Sequence, residues 1–449
     1  MPVRDACHPD QQKDQAFAAV LRNLLLYGIL FHLFASQAAS LFSGVSDTDP
    51  VTDTGSLYNQ LVLLAAFLTA CILVYAYRIR VRVLSAAMAP MAPLLLVIAL
   101  STGWSEYPDL TIRRASHEIV EATSLALLSA CFSNANVVLA IFFRAFLIIG
   151  CLDLFSSAIL PDSFTAIGFA GIHGHKNMAG EFLFVALPVY LLGTLYKVIS
   201  GNRLLGLFSF VSGTAMLVLT QSKTAVGATL VGLLSALLTR GLSRRNPTLR
   251  VALLLSCFLG LLCAIAAIMS WDLDELLEML IGDPTLTGRD QIWRYAATKF
   301  DGSPIIGVGY GAIWQVGPTI QIALQEIGLF LVFNETHNGY LEIAAQIGTV
   351  GILCLLIFLI ATLLNALFYW ATIEKHTFCG AGALTTYIFW GLVLYNITES
   401  LYFQAGIGTS GTLIFLGAFV ASRNARSMTM SPANGMPPKS GPCCLIGDG

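Results

Sequence analysis

Hydrophobic stretches of about twenty residues recur along almost the whole of this chain, each long enough to cross a ~30 Å hydrocarbon core as an α-helix. They fall near 16–36, 57–77, 83–102, 115–133, 135–156, 177–196, 204–220, 223–239, 250–271, 338–364, 378–397 and 403–422. Inside lipid every backbone polar group must be satisfied within the protein, which leaves helices for runs of this length. The pattern predicts an all-α polytopic membrane protein of about 12 transmembrane helices. Composition agrees: of 449 residues 56% are hydrophobic and 11% charged, against roughly 25% charged in soluble domains. The net charge of −2 argues against a nucleic-acid binder, which would carry a basic face.

Basic residues set the orientation. Arg78, Arg80 and Arg82 crowd one short loop, Lys197 and Arg203 flank a second, and Arg240, Arg244, Arg245 and Arg250 fill a third. Lys375 lies in a fourth, and Arg423 and Arg426 follow the last span. With the helices as placed, all of these fall on the side of the N-terminus, so the positive-inside rule makes both termini cytoplasmic. The expected organisation is a cytoplasmic N-terminus over 1–15, helices one to nine over 16–271 and a large periplasmic loop with short helices over 272–336. Three more helices over 337–422 and a disordered cytoplasmic tail over 423–449 complete it. The first run lacks a clearly basic leader and contains Arg22, so it reads as a retained helix rather than a cleaved signal. Cys71, Cys131, Cys151, Cys257 and Cys263 sit singly in apolar runs and read as buried thiols.

The opposite face collects the polar clusters. One loop carries Trp104, Ser105 and then Arg113-Arg114; the next carries His173, His175, Lys176 and Asn177. Lys223 lies in a tight Gln-Ser-Lys-Thr turn. The long loop holds Thr-Gly-Arg289-Asp-Gln-Ile-Trp293-Arg294 and Tyr310, and ends at His337-Asn338. The last outer loop has Thr398-Glu399-Ser400. Arg113, Arg114, Lys176, Lys223, Arg289 and Arg294 are cations on the face where positive charge is normally depleted. They point to an anionic ligand, and a diphosphate fits, since Arg forks match phosphate oxygens and Lys adds a point charge. The plainer alternative for Arg113-Arg114 is contact with anionic lipid headgroups. His173 and His175 at i, i+2 are weak evidence for a metal, and none is expected. Within the spans, Arg144 and Asp153 are intramembrane ions and so functional candidates. A structural ion pair between Arg144 and Glu121 is the expectation, because a fourth-fifth helix hairpin puts them level.

Gly-His-Lys-Asn at 174–177, Thr-Gly-Arg-Asp-Gln-Ile-Trp at 287–293 and His-Asn-Gly-Tyr-Leu-Glu at 337–342, in this order and with this topology, resemble the bacterial O-antigen ligase and exopolysaccharide polymerase family. The likeness covers about 100 to 420, and the first two strings are most similar to its exopolysaccharide-polymerase (ExoQ-like) branch. The resemblance implies a GT-C-like membrane glycosyltransferase of the bacterial inner membrane, inverting, metal-independent and without cofactor. It implies a donor glycan carried on undecaprenyl diphosphate, with membrane lipids around it and a flippase and a chain-length regulator as partners. On this reading Arg289 takes the diphosphate and His337 is the base or the group that orients the acceptor. Glu399 orients His337 or binds sugar hydroxyls. Arg113, Arg114, His175, Lys176, Asn177, Lys223, Arg294 and Asn338 are expected in the substrate site, and Trp293, Tyr310 and Trp314 stack on sugars or serve as interfacial aromatics. The bland alternative for His337 is a cap on the tenth helix.

A repeat-unit polymerase is the first expectation, and a ligase transferring finished glycan to lipid A-core or protein is the second. A transporter or flippase of lipid-linked sugar is the rival from another class. Transporters place their sites near the midplane, often between repeated halves, whereas here the polar groups gather on one face.

Overall fold

The computed structural model describes residues 9–35, 57–160, 163–243, 289–317, 334–374, 380–404 and 406–430. These are almost entirely helical. The helices are α1 (Pro9–Ala35), α2 (Leu57–Ala76), α3 (Val81–Met88), α4 (Ala92–Leu100), α5 (Pro108–Ala130), α6 (Ala135–Ile159) and α7 (Lys176–Leu195). After the short α8 (Lys197–Ser200) come α9 (Arg203–Leu219), α10 (Lys223–Ser243), α11 (Arg289–Gly302), α12 (Gly339–Tyr369), α13 (Ala381–Tyr395) and α14 (Gly408–Met430). A two-residue hairpin, Phe164–Thr165 against Gly168–Phe169, stands between α6 and α7.

Among the described residues five helices are long and apolar enough to cross a membrane, six if the pair α3 and α4 plus its 3-10 turn, bent by 67°, is one broken span. α9, α10 and α13 are apolar but shorter. On α2 the residues Leu57, Leu61, Leu64, Leu68 and Ile72 form a stripe at helical spacing that is exposed, as befits a lipid-facing surface. The chain is thus an all-α multi-pass membrane protein. The expected span over 250–271 lies outside the described residues.

Because lipid tails are as apolar as Leu, helices associate through close packing and small residues. α7 and α9 approach so closely that a Cβ on Gly206 would lie 2.5 Å from the Thr194 nitrogen. The centre is aromatic: Phe34, Phe142, Phe146 and Phe182 meet edge to face, with centroids 5.3–5.9 Å apart. At the C-terminal end of α5, Arg22 and Arg426 donate to the carbonyls of Cys131, Phe132 and Ala130, which supplies cations to the negative end of the helix dipole.

Several features differ from the sequence expectations: α14 runs on to Met430, into the tail expected to be disordered from 423, and the expected span over 83–102 is broken between α3 and α4. α5 begins at Pro108, several residues before the expected span, because Pro is tolerated at the first helical position and Asp109 suits the dipole there. Arg113 and Arg114 therefore ride on the first turns of a helix rather than in a loop. Arg144 lies exposed on α6, and Glu121 instead accepts a hydrogen bond from the Gly406 amide at 2.8 Å. The level pairing of Arg144 with Glu121 is not formed: the loop after α13 folds back onto α5, and its Gly406 amide takes the carboxylate. Asp153 is buried and accepts from the Ile172 amide at 3.0 Å, with His173 Nε2 3.2 Å away. It anchors the turn that leads into α7.

α12 carries a break in mid-helix, where Ile347 and Gly348 leave helical geometry (φ −130° and +66°) and free backbone groups. The segment after α11 supplies partners for them: Val308 and Gly309 amides donate to the Ala345 and Gln346 carbonyls at 3.1 and 2.8 Å. The Thr349 and Val350 amides donate to the Pro304 and Ile305 carbonyls at 2.9 and 3.1 Å. Irregular backbone at this depth is tolerated when protein satisfies it. Gly307 has to be glycine here, since its φ is +68° and a Cβ would sit 2.3 Å from the Gln346 carbonyl.

Candidate functional site

Four chain segments meet at the N-terminal ends of α7, α11 and α12 and the loop after α13. Glu399, 4% exposed, is their common acceptor. Its Oε1 takes hydrogen bonds from Arg289 Nη2 at 2.9 Å and Asn177 Nδ2 at 2.8 Å. Its Oε2 stands 2.9 Å from His337 Nδ1. A second Arg289 nitrogen donates to the Thr398 carbonyl. His337 Nδ1 also lies 3.1 Å from Glu335 Oε1, so one ring nitrogen serves two carboxylates.

Local structure explains each placement. Arg289 opens α11, and Trp293 follows one turn later on the same face. The Trp293 indole N–H donates to the Thr336 carbonyl at 3.0 Å, which pins the residue before His337. Asn338 is the N-cap of α12; its side chain accepts from the Tyr340 and Leu341 amides at 3.1 and 3.0 Å. His337, one residue earlier, has φ +54°, a left-handed conformation that costs a non-glycine residue ~1–2 kcal/mol. Packing enforces it: the Gly339 amide bonds to the Asn396 and Glu399 carbonyls, and the Asn338 amide to Ser400 Oγ.

Charge then dictates protonation. Burial alone would pull the His337 pKa down, but hydrogen bonds and charge from Glu335 and Glu399 outweigh it and raise it to about 9. Imidazolium is therefore the resting form at neutral pH, and Nδ1–H is committed to the carboxylates. Nε2 is the remaining ring nitrogen. Glu335, His337 and Glu399 each offer a ligand atom, all within 4.8 Å of one another, which is a set able to take a small cation. In the structure as it stands, the Arg289 guanidinium and the His337 ring already balance the two carboxylates.

The structure brings Arg289, His337, Glu399 and Asn177 together, and separates the other expected residues by role. Asn338 and His175 act as helix caps, the latter accepting from the Asn177 amide at 3.3 Å. The cap leaves His175 beside the cluster, where the charges of Glu399, His337 and Glu335 act on its ring. Arg114 is a clamp: its guanidinium donates to the carbonyls of Gly311, Trp314 and Gln315. The Tyr310 hydroxyl is committed to the Phe403 carbonyl at 2.7 Å. Lys176 and Lys223 begin α7 and α10. Thr224, next to Lys223, contacts Thr398 Oγ1 at 2.8 Å and so brings that turn beside the cluster. Arg113 and Arg294 lie on α5 and α11. Glu335 went unnoticed in the sequence, although its i, i+2 spacing from His337 in an extended stretch is the signal that would have found it.

A helical multi-pass membrane protein with a half-buried Arg–Glu–His cluster gathered on a buried Glu399 at converging helix ends is the class that fold and site define. Its narrower kinship comes from comparison. Residues 208–356 match the family model described as O-antigen ligase, a stretch that takes in Lys223, Arg289 and His337. The chain is 28% identical over 209 residues to the exopolysaccharide production protein ExoQ of Rhizobium meliloti (strain 1021). That match covers 44% of this chain and 47% of the relative, so the aligned part spans about half the length of the curated relative. Over these regions the chain is similar to O-antigen ligase family proteins.

Proposed function

We propose that this protein is an inner-membrane glycosyltransferase that polymerises oligosaccharide repeat units carried on a lipid diphosphate, undecaprenyl diphosphate, for exopolysaccharide or O-antigen. The observation that carries the reading is the Arg289–Glu399–His337 cluster in a chain similar to an exopolysaccharide production protein. In the proposed reaction the acceptor hydroxyl oxygen attacks the anomeric carbon as its bond to the diphosphate breaks, inverting that centre. Arg289 takes the departing diphosphate's charge, and Lys176 and Lys223, at the starts of α7 and α10, share it. His337, held by Glu399 and Glu335 through Nδ1, receives the hydroxyl proton at Nε2 in its neutral form. No metal or cofactor enters this scheme: the Arg289 guanidinium supplies positive charge at Glu399.

The same reading takes the site as periplasmic, both termini as cytoplasmic, and the chain as about twelve spans of GT-C-like type around a large loop over 272–336. A flippase and a chain-length regulator are the partners that such a polymerase would need.

The family description O-antigen ligase favours a second reading, transfer of finished glycan to lipid A-core or another acceptor. A gel of lipid-linked and surface glycan separates the two, using a deletion strain complemented with wild type or His337→Ala. Single repeat units held on the carrier in the deletion and the mutant support polymerisation. Long chains stranded on the carrier support ligation. Normal polymer in a well-expressed His337→Ala strain removes His337 from the mechanism.

A further inference from the structure

Behind the residues just described lies a cavity of about 290 Å³, close to the lower bound of ~300 Å³ for small-molecule pockets. We propose that it is a carbohydrate subsite holding one uncharged sugar residue of the substrate glycan; this rests on the glycan-joining reading above.

The stretch 334–337 is the partition. Glu335 and His337 face the Arg289 cluster, whereas Thr336 turns to Trp314 and Glu342, and Asn334 lines the cavity. The backbone of 334–337 thus stands between a group held in the cavity and His337. The walls are prearranged. Glu342 and Gln346, one turn apart on α12, are hydrogen-bonded to each other, and Gln346 Oε1 takes the Gly311 amide at 3.0 Å. Arg114 holds the opposite wall by its three carbonyl contacts.

The chemistry of the lining selects the ligand class. Its lining holds three titratable groups: Arg114 and Glu342, opposite in sign and already hydrogen-bonded within the protein, and His117. The Arg114 guanidinium is spent on three backbone carbonyls, so the cavity is not built around a cation for a phosphate. Four carboxamides converge instead: Gln315, Asn334, Gln346 and Gln404. A carboxamide both donates and accepts, which matches a ring of hydroxyls that do the same. The side chains of Gln315, Asn334 and Gln404 take no partner among the described residues. Gln315 is also held at φ +52°, a strained conformation of the kind that clusters at ligand sites. The Trp314 and Tyr310 rings supply apolar surface for the C–H face of a sugar.

The test uses the full chain in lipid nanodiscs and, as probe, lipid-free oligosaccharides released by mild acid from the host strain's own surface polysaccharide. Wild type and His337→Ala should bind these fragments alike. The double variant Asn334→Leu with Gln404→Leu should bind about tenfold more weakly, as loss of one or two hydrogen bonds implies. Gln315→Ala, made separately, should weaken binding in the same direction and guards against misfolding of the double variant. Adding undecaprenyl diphosphate separates the sources: fragments that stay bound occupy an acceptor position, and fragments that are displaced occupy the donor's. No binding by wild type, or equal binding by folded cavity variants, overturns the subsite. Loss of polymer in His337→Ala cells without any fragment binding would sink the subsite alone. Fragment binding by a protein whose deletion leaves every glycan unchanged would sink the glycan-joining function instead.

Discussion

Glu399→Gln preserves shape and removes one negative charge from between Arg289 and His337. In the native cluster Oε1 accepts from Arg289 and Asn177, and Oε2 faces His337 Nδ1. An amide has one oxygen, so one of these sides meets an N–H₂ group in place of an acceptor. A hydrogen bond to a charged group contributes about 1.5–3 kcal/mol, and at 4% exposure water cannot readily replace it. His337 titrates at about 9 because two carboxylates outweigh its burial. With Glu335 alone beside it, that titration should drop by about one pH unit. A positioned proton-transfer group contributes on the order of 10²–10⁴ in rate, and a misaligned ring forfeits much of that. The assay is joining of lipid-linked glycan by the purified protein in nanodiscs, followed from about pH 6 to pH 10. Wild-type rate should climb through its half-maximum near pH 9, where half of the base is neutral, and level off above it. Glu399→Gln should lower the rate roughly 10²-fold and pass its half-maximum about one pH unit earlier. An unchanged rate and pH profile would refute the claim that Glu399 orients and charges His337. A wild-type rate that falls between pH 7 and pH 9 would refute the base role, and favour an imidazolium acting by its charge.

Three further outcomes are expected. The raised His337 pKa stabilises the fold fully below its ordinary value of 6.5, and this is lost as pH rises through about 9. The melting advantage of wild type over His337→Gln, up to about 3 kcal/mol, should therefore shrink across that window when followed by thermal unfolding in detergent. Gly307→Ala forces a Cβ to within 2.3 Å of the Gln346 carbonyl at φ +68°, and should lower stability by more than about 2 kcal/mol in the same assay. A melting temperature equal to wild type would contradict the docking of the 304–309 segment into the α12 break. Arg114→Lys keeps the charge but cannot span three carbonyls with one ammonium, so it should cost about 1–3 kcal/mol and increase proteolysis of the 311–315 loop. Equal protease resistance in the two proteins would count against the clamp.

The amino-acid order alone determined that this chain lives in lipid and where most of its helices run. Every described helix of the expected spans overlaps its hydrophobic run, and the early start of α5 at Pro108 only lengthens that helix. Run length and backbone hydrogen bonding are local matters, and lipid leaves helices as the solution. The strings around Arg289 and His337 were legible for a related reason, as contiguous residues at a helix start and a loop end. What only tertiary structure decided is which side chains share a partner. Glu399 meets His337, Arg289 and Asn177 across 62, 110 and 222 residues of chain, and no local rule reports contacts at such separations. The same packing made caps of Asn338 and His175, and turned Arg114 into a clamp. It also gave the Glu121 carboxylate to Gly406 rather than to Arg144. A buried polar group takes whichever partner the assembled helices bring within hydrogen-bond distance, and that is settled by how the bundle closes.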